Sequence, residues 1–381
     1  MATPHVRVHA SIDELGDAQW NALNSRADPF LQHAFLSALE HNGCVGERFG
    51  WIPRHLGLWE GDRLVGAAPL YLKDNSYGEF VFDHAWADAY QRHGHAYYPK
   101  LVSAIPYTPA SGRRLLLAED RALEDASRVL LERALMLAEE EQVSSLHWLF
   151  VTEGEDALLR KRGFLPRLGC QFHWHNRGYP DFDAFLAALT AKRRKEIRRE
   201  RRKVREAGVR FRVLRGDEVD DAQWQTFARL YARTFEEHYS LATLNEGFFR
   251  EVGVRMGRHV VLILAYSNGA CVAGALFYRS DDTLYGRHWG SVETFDSLHF
   301  ETCYYQGIDY CIREGLQRFE PGAQGEHKVR RGFLPSFTFS DHWIADEGFR
   351  TAIADFLDRE TPLVRDYAET LGGHSPYKEA T

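Results

Sequence analysis

The stretch best suited to chemistry lies between Pro321 and Phe333 and reads PGAQGEHKVRRGF. Its proline and glycines predict an exposed turn at the end of a strand. Glu326, His327 and Lys328 follow one another directly, and each can exchange a proton or place a charge. Three such side chains on a loop after a buried strand favour catalysis, and the alternative is a solvated charged turn.

A short sequence occurs twice in the chain. Residues 162–166 and 331–335 both read RGFLP, and a His-Trp pair follows each copy at the same distance. Upstream, glycines and a tyrosine within residues 61–78 are matched in the same order within residues 269–286. The sequence therefore predicts two copies of one unit, with extra chain in the first copy at residues 73–112.

The extra segment at residues 73–112 is rich in aromatic and charged side chains. Such a segment could wall a substrate pocket, and the alternative is a packed surface excursion. The predicted substrate-binding residues of this segment are Lys73, Glu79, Asp83 and Lys100.

A strongly basic segment joins the two copies. Between Lys192 and Arg205 there are ten Lys or Arg residues against two Glu, on a predicted helix that continues from Asp181–Leu189. Ile197 and Val204 can anchor one stripe of this helix on protein, which leaves the other faces cationic. A polyanion such as a cofactor phosphate, tRNA or an anionic head group is the expected partner, and the alternative is a solvated linker.

Composition limits the classes of protein that the chain could belong to. A net charge of −7 argues against general coating of nucleic acid. The five cysteines show no CxxC pair, and the N-terminus has no apolar core, so we expect a cytoplasmic protein with reduced thiols. No membrane span and no metal site are expected, and His173 and His175 are interpreted as structural.

The elements that must position the chemical residues repeat in each half. Each half reads as helices, a strand hairpin, a third strand, a long helix, a strand and a final strand after Gly-Phe. In the second half the long helix is predicted at Leu298–Arg313 and the strand before the chemical stretch at Gln317–Glu320. A helix at Gly348–Asp358 closes the fold, with frayed residues after it.

This order resembles the GNAT acyltransferase fold, whose tail commonly carries Leu-Tyr-x-Lys-x-Gly-Phe. Here the corresponding stretches are LLRKRGF and HKVRRGF. Two such copies joined by a charged helix resemble the Fem-type transferases. SYGEFVFDHAWADAY, YYPKL, LHFETCYYQGIDY and GAQGEHKVRRGFLP resemble the bacterial FemAB-like predicted N-acyltransferases of peptidoglycan biosynthesis/recognition over nearly the whole chain. GxxxxGK, GxGxxG, HExxH and GxSxG motifs do not occur.

The resemblance implies an α+β fold of two tandem GNAT-like domains. The expected bounds are 1–178 for the first domain, 179–210 for a basic helical connector and 211–381 for the second domain. The tail tyrosine of the GNAT fold, often the general acid, corresponds to Leu159 in the first half and to Lys328 in the second. Catalysis is therefore expected in the second half.

The implied activity is transfer of an acyl or aminoacyl group to an amine without a covalent enzyme intermediate. Glu326 or His327 is the expected base, and Lys328 the acid or charge stabiliser. The residues expected to line the acceptor site are Glu301, His288, Tyr304 and Tyr305. The residues expected to bind the cofactor, from a weak match to the GNAT pyrophosphate motif and from the chemical stretch, are Arg287, Gly290, Gln324, Gly325 and Arg330.

The resemblance leaves the donor open between two classes. Acyl-CoA is the expected donor, and aminoacyl-tRNA bound along the basic helix at 192–205 is the alternative. The alternative function is a non-catalytic recognition protein that binds a cell-wall precursor or another anionic ligand.

Overall fold

The computed structural model describes residues 4–24, 27–121, 123–237, 239–292, 295–323 and 325–378. Contacts divide the chain into two compact units, each of which contains two segments. Unit 1 is Met1–Cys170 with Phe337–Asp366, and unit 2 is Gln171–Ser336 with Tyr367–Thr381.

The elements before residue 162 all belong to unit 1. In chain order they are β1 (His5–His9), α1 (Asp17–Leu23), α2 (His33–His41), β2 (Trp51–Pro53), β3 (His55–Glu60), β4 (Arg63–Ala68), β5 (Tyr71–Lys73), α3 (His84–Arg92), β6 (Lys100–Ser103), β7 (Leu116–Leu117), α4 (Leu123–Glu140), β8 (Ser145–Val151) and α5 (Glu153–Lys161).

The later elements include two strands that cross the division between the units. In chain order they are β9 (Leu165–His175), α6 (Phe182–Ala188), α7 (Ala191–Glu206), β10 (Arg210–Arg215), α8 (Asp221–Glu237), α9 (Glu246–Met256), β11 (Val260–Ser267), β12 (Ala270–Arg279), β13 (Thr283–Ser291), α10 (Leu298–Phe300), α11 (Gln306–Glu314), β14 (Arg318–Glu320), β15 (Leu334–Ile344) and α12 (Glu347–Gly373). A π-helical turn at Glu301–Tyr305 separates α10 from α11.

Each unit has a mixed sheet. Within the described residues of unit 1, one sheet has the order β1-β3-β4-β7, and β15, β8, β6, β5 and β2 follow one another in a second. Unit 2 has the order β10-β11-β12-β13-β14-β9. The β3–β4 and β11–β12 pairs are the antiparallel hairpins that the sequence repeat predicts. The predicted α+β fold of two GNAT-like units is thus confirmed.

The repeated Gly-Phe pairs end their helices in the same way. Gly163 and Gly332 have φ values of 79° and 103°, a left-handed region that favours glycine. Each glycine is followed by a buried phenylalanine and then by a strand of 11 residues, β9 in one case and β15 in the other. The sequence repeat therefore corresponds to a structural repeat.

The final strand of each sequence copy is assigned partly to the other unit. The end of β15, Phe339–Ile344, pairs antiparallel with β8 in unit 1. Trp174 and His175 of β9 pair with β14 in unit 2. Residues 337–366 consequently lie in unit 1, whereas the predicted domain bounds place them in the second domain. Strand partners depend on long-range pairing, which a local repeat does not specify.

Two helix predictions differ from the structure. The helix expected to run on from Asp181–Leu189 is broken, because the Thr190 N–H donates to the Pro376 carbonyl at 2.9 Å and Leu189 bridges to Tyr377. The closing helix was expected to end at Asp358 with frayed residues after it, but α12 reaches Gly373. The chain beyond α12 is held in place as well, since the Tyr377 hydroxyl donates to the Gly332 carbonyl at 2.8 Å.

The basic helix α7 is fixed to unit 2 by two apolar side chains. Ile197 belongs to the main core cluster of this unit, together with Phe277, Phe319 and Phe333. Val204 belongs to a smaller cluster, and both side chains are 1% exposed. The predicted anchoring stripe is therefore confirmed, and the cationic side chains lie on the remaining faces of α7.

Candidate active site

Two parallel strands diverge at the candidate site in unit 2. β13 and β14 pair through Thr283–Tyr285 and Arg318–Glu320, and β13 then continues to Ser291 while β14 ends. At the point of divergence, a Cβ added to Gly286 would lie 3.3 Å from the Cα of Pro321. The divergence leaves a cleft between the two chain segments.

A cavity of about 140 Å³ lies at this divergence. A cavity of roughly 150 Å³ accommodates a benzene-sized group, so this one has room for a short acyl or aminoacyl group. Its lining residues come from strands β12 and β13, from the helical segment after β13 and from the residue that follows β14: Ala275, Leu276, Phe277, Gly286, Arg287, His288, Trp289, His299, Cys303, Tyr304 and Pro321.

Lys328 is a buried lysine that interacts electrostatically with Cys303 and Arg287 of this cavity's lining. The stretch expected to be an exposed turn is a 3₁₀ helix at Glu326–Arg331, and Lys328 is only 3% exposed. Its Nζ donates to the Gly322 carbonyl at 2.7 Å. Burial, opposed by Cys303 and reinforced by Arg287, lowers the pKa of Lys328 to about 7. At neutral pH this amine can therefore both donate and accept a proton.

His327 is linked to the cavity through Tyr304. The Tyr304 hydroxyl and His327 Nε2 are hydrogen bonded at 2.9 Å. Burial raises the pKa of Tyr304, so its hydroxyl stays protonated at neutral pH. Burial, together with Arg331 and Lys328, lowers the pKa of His327, which therefore remains a neutral base. When Nε2 carries the proton and donates it to Tyr304, Nδ1 is left as the acceptor.

The π turn at Glu301–Tyr305 aims successive side chains in different directions. Such turns insert one residue into a helix and are frequent at functional sites. Tyr304 faces His327, whereas the Tyr305 hydroxyl is hydrogen bonded to Glu200 of α7. The sequence pattern predicts an uninterrupted helix here, because a π turn has no simple signature in residue periodicity.

An ion pair that the sequence did not single out holds the 3₁₀ helix against α7. Arg331 donates to Glu200 Oε1 at 2.8 Å and to the Tyr305 hydroxyl at 3.0 Å. Its guanidinium also lies 3.4 Å from the ring centroid of Phe300. These contacts fix the segment that carries His327 and Lys328, so Arg331 and Glu200 position the site.

Glu326 faces a second, open cavity of about 740 Å³ rather than the acyl-sized one. It is exposed and accepts a hydrogen bond from the Tyr367 hydroxyl at 3.0 Å. The cationic and titratable residues that line this cavity with it are Lys192, Arg193, His327, Arg330 and His374. His327 therefore borders the open cavity and also contacts a residue of the acyl-sized cavity.

The predicted acceptor-site residues are separated in the structure. His288 and Tyr304 line the acyl-sized cavity, whereas Tyr305 borders a neighbouring one with Glu200 and Arg331. Glu301 lies elsewhere and forms a salt bridge with Arg201 at 3.1 Å.

The residues predicted to bind the cofactor are likewise not gathered in one cavity. Arg287 lines the acyl-sized cavity, and burial lowers its pKa to about 10, while Arg330 lines the open one. A Cβ at Gly290 would lie 2.1 Å from the Leu230 carbonyl oxygen, so close helix packing already requires a glycine there. Gly325 precedes the 3₁₀ helix with φ 115°, and Gln324 lies outside the described residues.

The four predicted substrate residues of the insertion form a buried ion cluster in unit 1. Lys100 Nζ donates to Glu79 at 2.8 Å and also to Asp83, and each of these side chains is at most 3% exposed. Lys73 is 0% exposed, with Nζ 4.0 Å from the ring centroid of Trp51. Burial lowers its pKa to about 7 and raises that of Glu79 to about 7. The pairing of Lys100 with both carboxylates, and the hydrogen bonds of Lys73 Nζ to Asn75 Oδ1 at 3.3 Å and to the Tyr77 carbonyl at 3.2 Å, fit a structural role in the insertion.

The described residues contain neither a metal-binding cluster nor a membrane-spanning helix. No described group of three or more His, Cys, Asp or Glu residues could hold a metal ion. Within the same residues, no helix has the length and apolarity needed to cross a membrane.

Solved structures of similar fold include "Crystal structure of FemX", at 13% identity and a TM-score of 0.55, over 92% of this chain and 100% of that one. The C-terminal domain of a putative lysylphosphatidylglycerol synthetase from Agrobacterium fabrum gives 8% identity and a TM-score of 0.54, covering 91% and 97% of the two chains. "The structure of L-PGS from Bacillus licheniformis" gives 12% and 0.51, covering 87% and 92%. These identities establish similarity of fold alone.

The similarity extends over nearly the full length of these chains, so it covers both units of this one. Residues 11–379 match the sequence profile of the FemAB-like family, described as peptidoglycan biosynthesis/recognition, and the chain belongs to that family. No curated protein matches the sequence significantly.

Proposed function

We propose that this chain is an N-acyltransferase that moves an acyl or aminoacyl group from an activated donor to an amine. The observation that carries the proposal is the buried amine of Lys328, which has a pKa of about 7 and interacts electrostatically with Cys303 and Arg287 of the acyl-sized cavity. The FemAB-like family and its description support a role in peptidoglycan biosynthesis, with a peptidoglycan precursor as the amine-bearing acceptor.

The reaction needs no covalent enzyme intermediate. The acceptor nitrogen attacks the donor carbonyl, a C–N bond forms, and the bond to the thiolate or ribose oxygen of the donor breaks. His327 takes the proton of the attacking amine, and Lys328 gives a proton to the leaving group or stabilises the charge on the oxyanion. His327 is favoured over Glu326 as base because it contacts Tyr304, which lines the acyl-sized cavity.

We propose acyl-CoA as the donor, with aminoacyl-tRNA as the alternative. The open cavity beside His327 is lined by Lys192, Arg193 and Arg330, and these cations suit the phosphates of a coenzyme. A tRNA would extend further along α7, where ten basic residues lie between Lys192 and Arg205. The net charge of −7 favours the donor that needs fewer phosphate contacts.

Salt dependence separates the two donors. Binding of acetyl-CoA and of aminoacyl-tRNA to the full chain would be measured between about 50 and 200 mM salt. For tRNA, log K should fall by about 0.7–0.9 per neutralised phosphate for each log unit of salt, whereas coenzyme A should give a shallow slope. Salt-steep tRNA binding without any binding of acyl-CoA would reverse the choice of donor and leave acyl transfer standing.

A non-catalytic recognition function is the second candidate, because the family description includes recognition as well as biosynthesis. Turnover decides between the two. Mass spectrometry of amine-bearing peptidoglycan precursors, incubated with donor and with either wild type or Lys328→Met, would show a mass increase for the wild type only. Tight precursor binding with no mass increase from any donor would support recognition instead.

A further inference from the structure

Tyr304 lies between His327 and the acyl-sized cavity. Its side chain is 3% exposed and lines that cavity together with His299 and Cys303. His327 is exposed and borders the open cavity and an adjoining cavity of about 230 Å³, but it is not among the described residues that line the acyl-sized one. The expected base is therefore separated from the acyl group by the Tyr304 hydroxyl.

The burial of the Tyr304 hydroxyl decides which atom donates in its hydrogen bond with His327. Within the part of the chain that the structure describes, His327 Nε2 at 2.9 Å is the hydrogen-bond partner of this hydroxyl. A buried hydroxyl that donates to no acceptor carries a desolvation penalty, so we expect Tyr304 Oη to donate and Nε2 to accept. Of the two neutral tautomers of His327, this bond favours the one with its proton on Nδ1.

The His327 ring is held beside Tyr304 by its neighbours. It packs over Gly325, where an added Cβ would lie 2.5 Å from the ring atom Cε1 of His327. Gly325 has a φ of 115°, which lies in the region that favours glycine. The ring centroid of Phe300 lies 5.7 Å from that of His327. The position of the imidazole therefore depends on a glycine at residue 325.

We propose that Tyr304 is a catalytic residue that passes the proton of the attacking amine to His327. This inference rests on the proposed acyl transfer and adds the route of the proton. As the C–N bond forms, the ammonium nitrogen of the adduct gives one proton to Tyr304 Oη, and Oη gives its own proton to His327 Nε2. Tyr304 ends unchanged, and the imidazolium of His327 releases a proton to water in the open cavity.

Tyr304 is suited to relay a proton and unsuited to act as the base by itself. Burial, reinforced by Cys303 and opposed by Arg331, raises the pKa of Tyr304, so a tyrosinate does not form at neutral pH. A coupled transfer avoids the tyrosinate, because Oη gains one proton while it loses another. The exposed side of His327 then gives the proton a path to solvent.

The tautomer of His327 tests this hydrogen bond without any substrate. In ¹⁵N NMR spectra of the full chain, the neutral ring should carry its proton on Nδ1 and accept at Nε2. Tyr304→Phe removes the donor and should shift the Nε2 resonance, whereas Tyr310→Phe should leave it unchanged. A ring protonated on Nε2 in the wild type would overturn the proposal, because Nε2 could not then accept the proton.

Turnover tests the route itself. Tyr304→Phe keeps the ring and should lower kcat by about 10²–10⁴. Tyr310→Phe is the matched control and should keep the wild-type rate, because the Tyr310 hydroxyl is buried on the following helix and accepts a hydrogen bond from Arg279 at 3.1 Å. Thermal unfolding of both variants verifies the fold. An unchanged kcat for Tyr304→Phe would overturn the relay and leave acyl transfer standing, whereas a wild type inactive with every donor would remove the proposed function.

Imidazole added to His327→Ala separates a proton relay from a structural hydrogen bond. Because His327 borders the open cavity, free imidazole can reach the place of the missing ring and accept the proton from Tyr304. We expect it to raise the kcat of His327→Ala by about tenfold or more, which is part of the roughly 10²–10⁴ lost with the ring. The double variant Tyr304→Phe/His327→Ala should not respond. An equal response of both variants would mean that imidazole takes the proton directly from the amine, which would overturn the role of Tyr304.

Discussion

Leu159 and Lys328 occupy the same position in two copies of one turn. The Phe164 N–H donates to the Leu159 carbonyl at 3.2 Å, and the Phe333 N–H donates to the Lys328 carbonyl at 3.3 Å. Both side chains are buried, at 0% and 3% exposure. The turn itself therefore accepts an apolar residue at this position, and the ammonium group of Lys328 is not required for its backbone geometry.

Lys328→Met should abolish acyl transfer without unfolding the protein. Removing one acid–base group typically costs about 10²–10⁴ in rate. Methionine is similar in length and is apolar like Leu159 in the other copy, so the free energy of unfolding should stay the same or rise. The measurements are kcat and thermal unfolding, with Lys195→Met on the exposed part of α7 as control. Normal turnover by Lys328→Met would place the chemistry elsewhere.

Gly290→Ala should destabilise unit 2, because its Cβ would lie 2.1 Å from the Leu230 carbonyl oxygen of α8. Overpacking of this kind costs roughly 1–3 kcal/mol. Gly372→Ala is the control: it lies in the last turn of α12, nothing comes within 4 Å of its added Cβ, and the free energy of unfolding should stay the same or rise slightly. Urea unfolding of both variants measures the difference, and equal stability would contradict the packing role of Gly290.

The repeat and its turns could be predicted from the sequence because they depend on local signals. Glycine marks the left-handed end of a helix, and apolar spacing marks the anchored stripe of α7 at Ile197 and Val204. The pairing of β15 with β8 could not be predicted, because it joins residues far apart in the chain. The break before α7 depends on such a contact as well, between Thr190 and Pro376.

The candidate site was predictable only in part. His327 and Lys328 stand out by residue type, and each interacts with residues that line the acyl-sized cavity, His327 with Tyr304 and Lys328 with Cys303. The cavity itself depends on where β13 and β14 diverge, and the pKa of Lys328 depends on burial, neither of which residue spacing reveals. The same applies to Lys100, whose charge suggested substrate binding but is paired with Glu79 and Asp83 inside unit 1.

Asp341→Asn should stabilise the protein at alkaline pH. Asp341 is 0% exposed, and neither of its carboxyl oxygens has a hydrogen-bond partner among the described residues. Burial, reinforced by Asp156 and Glu155 and opposed by Arg160, raises its pKa from 3.8 to about 8. Asparagine keeps the shape without the charge, and the gain at pH 9 should be about 1–3 kcal/mol.

The sign of this effect follows from proton binding. Between about pH 4 and pH 8 the folded chain keeps the proton of Asp341 and the unfolded chain releases it, so the free energy of unfolding falls as pH rises. Urea unfolding from pH 4 to pH 9 should show a shallower fall for Asp341→Asn than for wild type. Asp358→Asn, an exposed position of α12, serves as control. Parallel curves for wild type and Asp341→Asn would mean that the Asp341 carboxyl titrates alike in both states.

The pH dependence of transfer should report His327 and Lys328 together. The pKa of His327 is lowered from 6.5, so His327 becomes a neutral base as the pH rises through a value below 6.5. Lys328 loses its proton near pH 7. A plot of kcat/KM against pH should therefore be a narrow bell, with its alkaline limb near pH 7.

Lys328→Arg keeps the positive charge at every accessible pH, so a variant that retains activity should lose the alkaline limb and keep the acidic one. His327→Gln should remove the acidic limb and lower the rate by about 10²–10⁴. An alkaline limb that stays near pH 7 in Lys328→Arg would assign that titration to another group and exclude Lys328 as the proton donor.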